Sequence, residues 1–315
     1  MIYFLWYLLE NPTQTDIASI LSERELYFIP VINPDGYLYN QTIEPNGGGM
    51  WRKNRRLHND GEIGVDLNRN FGYNWGYDSI GSSAHTSSNV YRGESAFSEP
   101  ETQAIRDFVK TKNFHVAMNY HSYGNLMIFA WGYTQEACED SAYHTDLGIH
   151  MTEFNWYEVG QGSRVLYFTN GDINDWMYGD TVSKNKIFSY VPEVGDPDYG
   201  FWPPENLIIP YAEDNLEQNI RVANGIQQAT SAKAKKTKAI NLFPNPVTNG
   251  IVNFNVDGIT EFKQIEIFNN LGARVILKQV IETPEIDLNK LKSGYYVIRV
   301  TSKDNGVFLG EILVN

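Results

Sequence analysis

Residues 115–124 read HVAMNYHSYG, and residues 186–193 read KIFSYVPE. Each is a short, mostly apolar run that reaches a side chain able to carry chemistry, His121 in the first and Glu193 in the second. Near-continuous apolar runs of this kind suit parallel strands buried on both faces. The run LYFIPVI at residues 26–32 has the same character and leads into a turn, NPDG, at residues 33–36; Pro30 marks a local irregularity in it. SEPE at residues 98–101 has the Ser-x-x-Glu pattern of a capping box, which predicts a helix over ETQAIRDFVKT, residues 101–111, leading into the His121 strand. In open α/β sheets ligands bind beyond the carboxyl ends of the strands, so His121 and Glu193 are expected at one site.

The chain has 315 residues, 42% of them hydrophobic, enough for one large α/β domain with a full core and a smaller companion. A formal net charge of −13 argues against nucleic acid as a partner, because phosphate binding needs clustered Lys and Arg. The single cysteine, Cys138, allows no intrachain disulfide and leaves the compartment open. The apolar opening, residues 1–9, is too short to span a bilayer and lacks the charged flank and cleavage site of a signal peptide. No transmembrane segment is expected.

Helical and buried-run patterning fills residues 1–228, and only strand patterning follows residue 239. Between them ATSAKAKKTKA, residues 229–239, has no large apolar side chain and is expected to be a flexible linker. Residues 240–315 alternate short apolar runs with Asn-Gly, Asp-Gly and Ser-Gly turns, the pattern of a small antiparallel β-sandwich. LFPNPVTNG (242–250), IFNNLG (267–272), IDLNKLKSGYYVIRV (286–300) and the closing GEILVN resemble the C-terminal sorting domain of the type IX secretion pathway. That resemblance implies the type IX machinery as a partner and a secreted or cell-surface location. A carbohydrate-binding or immunoglobulin-like module is the alternative that patterning alone leaves open.

The ordered series NPDG, WRKNRR (51–56), GVDLNRNF (64–71), SEPET (98–102), NYHSYG (119–124), Tyr167, INDW (173–176) and Glu193 resembles the zinc carboxypeptidases related to carboxypeptidases A and B. The fold this implies is α/β: a mostly parallel mixed sheet flanked by helices, with early strands missing, plus the C-terminal sandwich. The family holds Zn²⁺ with an upstream His-x-x-Glu pair and a later histidine. Here the implied ligand is His121, and two of the three expected protein ligands are absent. With no signal peptide either, the expectation is that the natural protein extends before Met1 and that this chain by itself is inactive.

The resemblance also assigns roles. Glu193 would be the general base, taking a proton from the zinc-bound water and passing it to the leaving amine. A buried carboxylate paired with an arginine is the plainer reading of the same residue. Arg52 would stabilise the oxyanion of the tetrahedral intermediate. Asn68 and Arg69 would grip the terminal carboxylate of the substrate, with Tyr167 closing over it, which explains cleavage at free C-termini. Asn174 falls in the side-chain specificity pocket and favours neither apolar nor basic termini, although Asp172 in the same loop could attract Lys or Arg. One decoy stands apart. His150 and Glu153 spell His-x-x-Glu, but downstream of His121 and on an amphipathic stretch, so they read as a solvated helix face.

Together these features imply a secreted metallocarboxypeptidase acting on peptides or proteins with free C-termini. Two other readings stay open, a metal-free peptide-binding protein and a zinc amidohydrolase acting on small acyl amino acids.

Overall fold

The computed structural model describes residues 1–231, 238–256, 259–269, 274–278, 284–303 and 307–314. The chain divides into two compact units, Met1–Ile226 and Gln227–Asn315.

In the first unit, helices α1 (Ile2–Glu10) and α2 (Thr15–Glu23) pack Phe4, Leu8, Ile17 and Ile20 against Ile220 and Ala223 of the last helix. Helix α3 (Pro34–Ile43) starts at the expected NPDG turn: Pro34 supplies a preset φ at its first position, and the Asn33 side chain accepts from Gly36 N at 3.0 Å. Helix α4 (Pro100–Lys110) also begins on proline, with Glu101 in its first turn and Lys110 in its last, each favourable to the helix dipole. The expected capping box does not form. Glu99 takes the cap position, and the Ser98 hydroxyl instead donates to Glu99 Oε1 at 2.7 Å and accepts from Asn70 Nδ2 at 2.9 Å. Proline at the first helical position shifts the start by one residue and takes Ser98 out of register.

Strands β1 (Val116–Met118) and β2 (Leu126–Phe129), helix α5 (Ser141–Thr152), strand β3 (Glu158–Gln161), helices α6 (Gly162–Val165) and α7 (Ile173–Gly179), strand β4 (Phe188–Glu193), and helices α8 (Ile208–Asp214) and α9 (Leu216–Ser231) complete the unit. The sheet order is β1-β4-β2-β3; β1 runs parallel to β4 and β2 to β3, while β2 and β4 are antiparallel. This is the mostly parallel mixed sheet expected. From Ser189 to Glu193 every residue of β4 is buried, as a strand covered on both faces should be.

Residues 26–32 differ from expectation, for they join no sheet. Pro30 has no N–H to give to a ladder, and the side chains here go to two different cores. Leu26 and Phe28 pack with the α1, α2 and α9 cluster, whereas Ile32 packs with Phe71 and Trp176.

The second unit holds β5 (Lys238–Ala239), β6 (Asn241–Phe243), β7 (Ile251–Asn255), β8 (Phe262–Asn269), β9 (Arg274–Lys278), β10 (Glu285–Asp287), β11 (Gly294–Ser302) and β12 (Val307–Val314). They form two sheets, β10-β7-β6 and β5-β12-β11-β8-β9, antiparallel except for the short β5–β12 pair. Alternate residues Tyr296, Ile298 and Val300 of β11 meet Val252, Phe254, Ile265, Ile267, Ile286 and Leu288 in one core. Gly250, at φ +72°, closes the Asn249-Gly250 turn. The turns expected at 257–258, 271–272 and 305–306 lie outside the described residues, as do residues 232–237 of the linker expected over 229–239; its ends are regular structure, 229–231 closing α9 and 238–239 forming β5.

Because this unit has a core of its own, residues 240–315 expressed alone should melt in one cooperative transition. A featureless melt followed by circular dichroism would show that the core is insufficient.

Candidate functional site

The site forms where β1 and β4 end side by side. Pairing continues past β1, with Asn119 N donating to Tyr190 O at 2.8 Å, His121 N to Pro192 O at 3.0 Å and Val194 N to His121 O at 2.9 Å. His121 and Glu193 therefore face each other as a parallel bridge. Register along two parallel strands brings together residues 72 positions apart in the chain (193 − 121).

The other residues arrive on loops locked by one indole. Trp176 of α7 is fully buried and packs against Phe71 (centroids 5.4 Å apart) and Phe97 (5.5 Å). Burial of a side chain this large contributes about 4 kcal/mol or more. The contact ties the DLNRNF segment to the α7 loop, and two hydrogen bonds fix the register: Phe71 N to Gly171 O at 2.8 Å and Ile173 N to Asn68 Oδ1 at 3.1 Å. Gly171 sits at φ +68°, where a Cβ would stand 2.6 Å from Arg69 O, so only glycine lets the two loops approach this closely.

Arg52, Asn68, Arg69, His121, Tyr167, Asn174 and Glu193 all line one cleft. Arg52 donates through Nε and Nη2 to Asp66 Oδ2, both at 2.9 Å, and the adjacent Asp66 charge raises its pKa above the ordinary guanidinium value. Arg69 is buried, its Nε donating to Gly81 O at 2.8 Å and its Nη1 to Asn68 O at 2.7 Å. Asp66 Oδ1 accepts from Asn68 N at 3.1 Å, and Oδ2 lies 3.9 Å from Arg69 Nη1. One buried carboxylate thus braces both arginines and the asparagine. Asp66 is the residue that reading the sequence missed. Its signal was present, an acid two and three positions before Asn68 and Arg69 in DLNR.

Burial pushes Glu193 up to about 7, opposed only by the Arg52 charge, so this carboxyl exchanges its proton near neutrality. Burial, reinforced by Arg52, lowers His121 to about 4, which leaves a neutral imidazole with a lone pair to offer. Asn68 Nδ2 lies 3.4 Å from His121 Nε2. Tyr167 stands at the rim, half exposed, and Asn174 lies within, almost fully buried.

His150 and Glu153 do not reach the cleft lining; both engage Arg221, at 3.2 Å from His150 Nδ1 and 2.6 Å from Glu153 Oε2. Among the described residues no three His, Cys, Asp or Glu side chains group as a metal site, so His121 is a single donor where a catalytic zinc needs about three. The donor set present does not by itself fit the ion.

The family description "zinc carboxypeptidase" matches residues 1–218, and "secretion system C-terminal sorting domain" matches residues 241–315. Carboxypeptidase O of Bos taurus is 32% identical over 253 residues, covering 76% of this chain and 65% of that protein. Carboxypeptidase B of Astacus astacus is 34% identical over 227 residues, covering 68% and 71%. Among solved structures, thrombin-activatable fibrinolysis inhibitor superposes with a TM-score of 0.63 at 28% identity, over 72% of this chain and 58% of that one. The chain thus spans slightly under two thirds of the bovine carboxypeptidase O.

Proposed function

Given that the chain belongs to the zinc carboxypeptidase family and carries a secretion-system sorting tail, we propose that it is an exported carboxypeptidase acting on peptides with free C-termini. The observation that supports this reading is the meeting of Arg52, Asn68, Arg69, His121, Tyr167, Asn174 and Glu193 in one cleft beyond the ends of β1 and β4. Arg69 and Asn68 bind the terminal carboxylate, Tyr167 covers it from the rim, and Arg52 faces the charge that grows on the scissile carbonyl oxygen. Glu193 accepts a proton from the attacking water and returns it to the leaving amine, which a carboxyl near 7 can do in both directions. The family implies zinc; His121 is the residue here that would contribute to holding it. The division of labour is residues 1–228 for the peptidase domain, 229–239 for the linker and 240–315 for sorting to the type IX machinery and the cell exterior. Among the described residues no helix is long and apolar enough to cross a membrane.

A second reading is favoured by the incomplete donor set: a protein that grips C-terminal carboxylates without cutting them. Zinc content after dialysis, measured with peptide turnover, separates the two. One tightly held zinc per chain with turnover supports the peptidase; peptide binding without either supports the second reading. Under both, Arg69→Ala should cost about 10- to 100-fold in affinity for a free C-terminus, the worth of a charge-assisted pair, and little for the amidated peptide. Equal binding of free and amidated peptides by the wild type would refute both.

A further inference from the structure

Arg69 can present a fork to a ligand only if something outside its own segment fixes the plane of the guanidinium. Of its two backbone anchors, Asn68 O belongs to the preceding residue and moves with it, whereas Gly81 O comes from a different loop. Whatever holds Gly81 therefore decides where Arg69 points. Gly81 closes a turn built on Asp78. One carboxylate oxygen, Asp78 Oδ1, accepts from Ile80 N at 3.0 Å, from Gly81 N at 2.9 Å and from Asn170 Nδ2 at 2.7 Å. The first two bonds are the side-chain closure that aspartate gives a turn. The third ties the turn to the loop that follows Tyr167. That tie is doubled, because the Ser82 hydroxyl donates to Asn170 Oδ1, and Ser82 and Asn170 are both buried. A Cβ on Gly81 would stand 2.6 Å from Thr169 C, so the turn lies directly on the backbone of the same loop. Arg92 braces it further, its Nη1 donating to Asp78 O at 3.1 Å and to Ser82 Oγ at 3.2 Å. Asp78 itself does not line the cleft.

Without that oxygen three N–H groups lose their acceptor, and Gly81 O is no longer held where Arg69 Nε meets it. A buried guanidinium N–H without a partner is costly, so the side chain would follow whatever acceptor stays within reach. Asp66 Oδ2, 3.9 Å from Arg69 Nη1, is that acceptor, and closing on it turns the fork away from an incoming carboxylate. We propose that Asp78 is a positioning residue for recognition of the terminal carboxylate, acting through Gly81 O to hold the plane of the Arg69 guanidinium.

The inference rests on the reading that the cleft grips a free C-terminus, and it needs no bound metal to test. Benzoylglycyl-phenylalanine and benzoylglycyl-arginine, each as the free acid and as the amide, are titrated calorimetrically into the intact 315-residue chain and its variants at pH 7.5. Asp78→Ala should lose about 10-fold in affinity for the free acids and less than about twofold for the amides. Asp78→Asn, which keeps an acceptor oxygen but no charge, should stay within about twofold of the wild type for both. A carboxylate acting only by its charge would do the opposite, since removing it in either variant should strengthen binding of an anion. In an Arg69→Ala background, Asp78→Ala should cost nothing further, because the two residues act as one. Where alanine prevents folding, Asp78→Ser carries the test: its hydroxyl closes the same turn more weakly, and the free acids should lose about threefold. An unchanged free-over-amide ratio in the alanine variant, or in the serine variant where that replaces it, would overturn the role of Asp78 and leave the carboxylate grip intact. So would an Asp78→Ala effect of full size in the absence of the Arg69 side chain. Equal binding of acid and amide by the wild type, or no peptide binding at all, would overturn both.

Discussion

Glu193→Gln is expected to raise the stability of the folded chain at pH 8 and, on the proposed peptidase reading, to lower kcat by about 10²- to 10⁴-fold, the usual worth of a positioned acid–base group. The two effects have one cause. Burial holds the carboxyl at about 7 in the folded chain, above its ordinary 4.5. From pH 4.5 upward the unfolded chain gives up this proton while the folded chain keeps it until pH 7. Over that window the folded state binds more protons, so stability falls as pH rises, and the deficit is complete above pH 7. The shift corresponds to about 3 kcal/mol, or roughly 6–12 °C in Tm for a domain of this size. Glutamine has nothing to titrate there. Melting curves of both proteins between pH 4 and 8.5 should coincide at the acid end and diverge toward pH 8, with the variant higher. Parallel curves would mean that Glu193 is solvated or paired and has no raised affinity for its proton.

Much of the site could be read from the sequence because its residues sit at positions that local pattern marks. His121 and Glu193 stand where apolar runs give way, and a buried parallel strand can expose chemistry only at such an end. Asn68 and Arg69 follow Asp66 in a segment too polar to be core, yet Arg69 is buried. What could not be read was what holds them. The Trp176–Phe71 contact joins segments more than 100 residues apart (176 − 71), and periodicity carries no information across that distance. Residues 26–32 have the composition of a strand, but pairing depends on a neighbour and Pro30 removes a donor, so composition misleads there. The SEPE segment fails for a related reason: the Ser-x-x-Glu spacing is met, but Pro100 fixes the helix start one residue later. Local signals identified elements and end points; partners depended on the packed core.

His144→Leu should gain stability relative to the wild type progressively as pH falls from 6.5 to 4. His144, on α5, is fully buried with its ring stacked on Phe129 (centroids 5.0 Å, planes 9° apart) and flanked by Tyr178, Phe188 and Tyr190. Both ring nitrogens lack a hydrogen-bond partner among the described residues. Burial lowers its pKa to about 3; the Asp140 charge opposes that shift and the Lys186 charge adds to it. A histidine whose folded pKa is depressed contributes full stability above its unfolded value near 6.5 and loses it as pH falls toward the folded one. The loss by pH 4 amounts to about 3 kcal/mol, opposite in sign to the Glu193 effect. Where the two windows overlap, about pH 4.5 to 6.5, the opposed contributions of these two groups cancel, leaving a plateau that falls away below it through His144 and above it through Glu193. Leucine has similar volume and no atoms needing a partner, so at pH 7 it should be neutral to mildly stabilising, and at pH 4 clearly so. The double variant with Glu193→Gln should show a broad plateau across both windows, since Glu193 lines the cleft, His144 does not, and their effects should add. A difference in melting temperature between His144→Leu and wild type that stayed constant from pH 7 down to pH 4 would show that His144 finds a partner or water in the folded state.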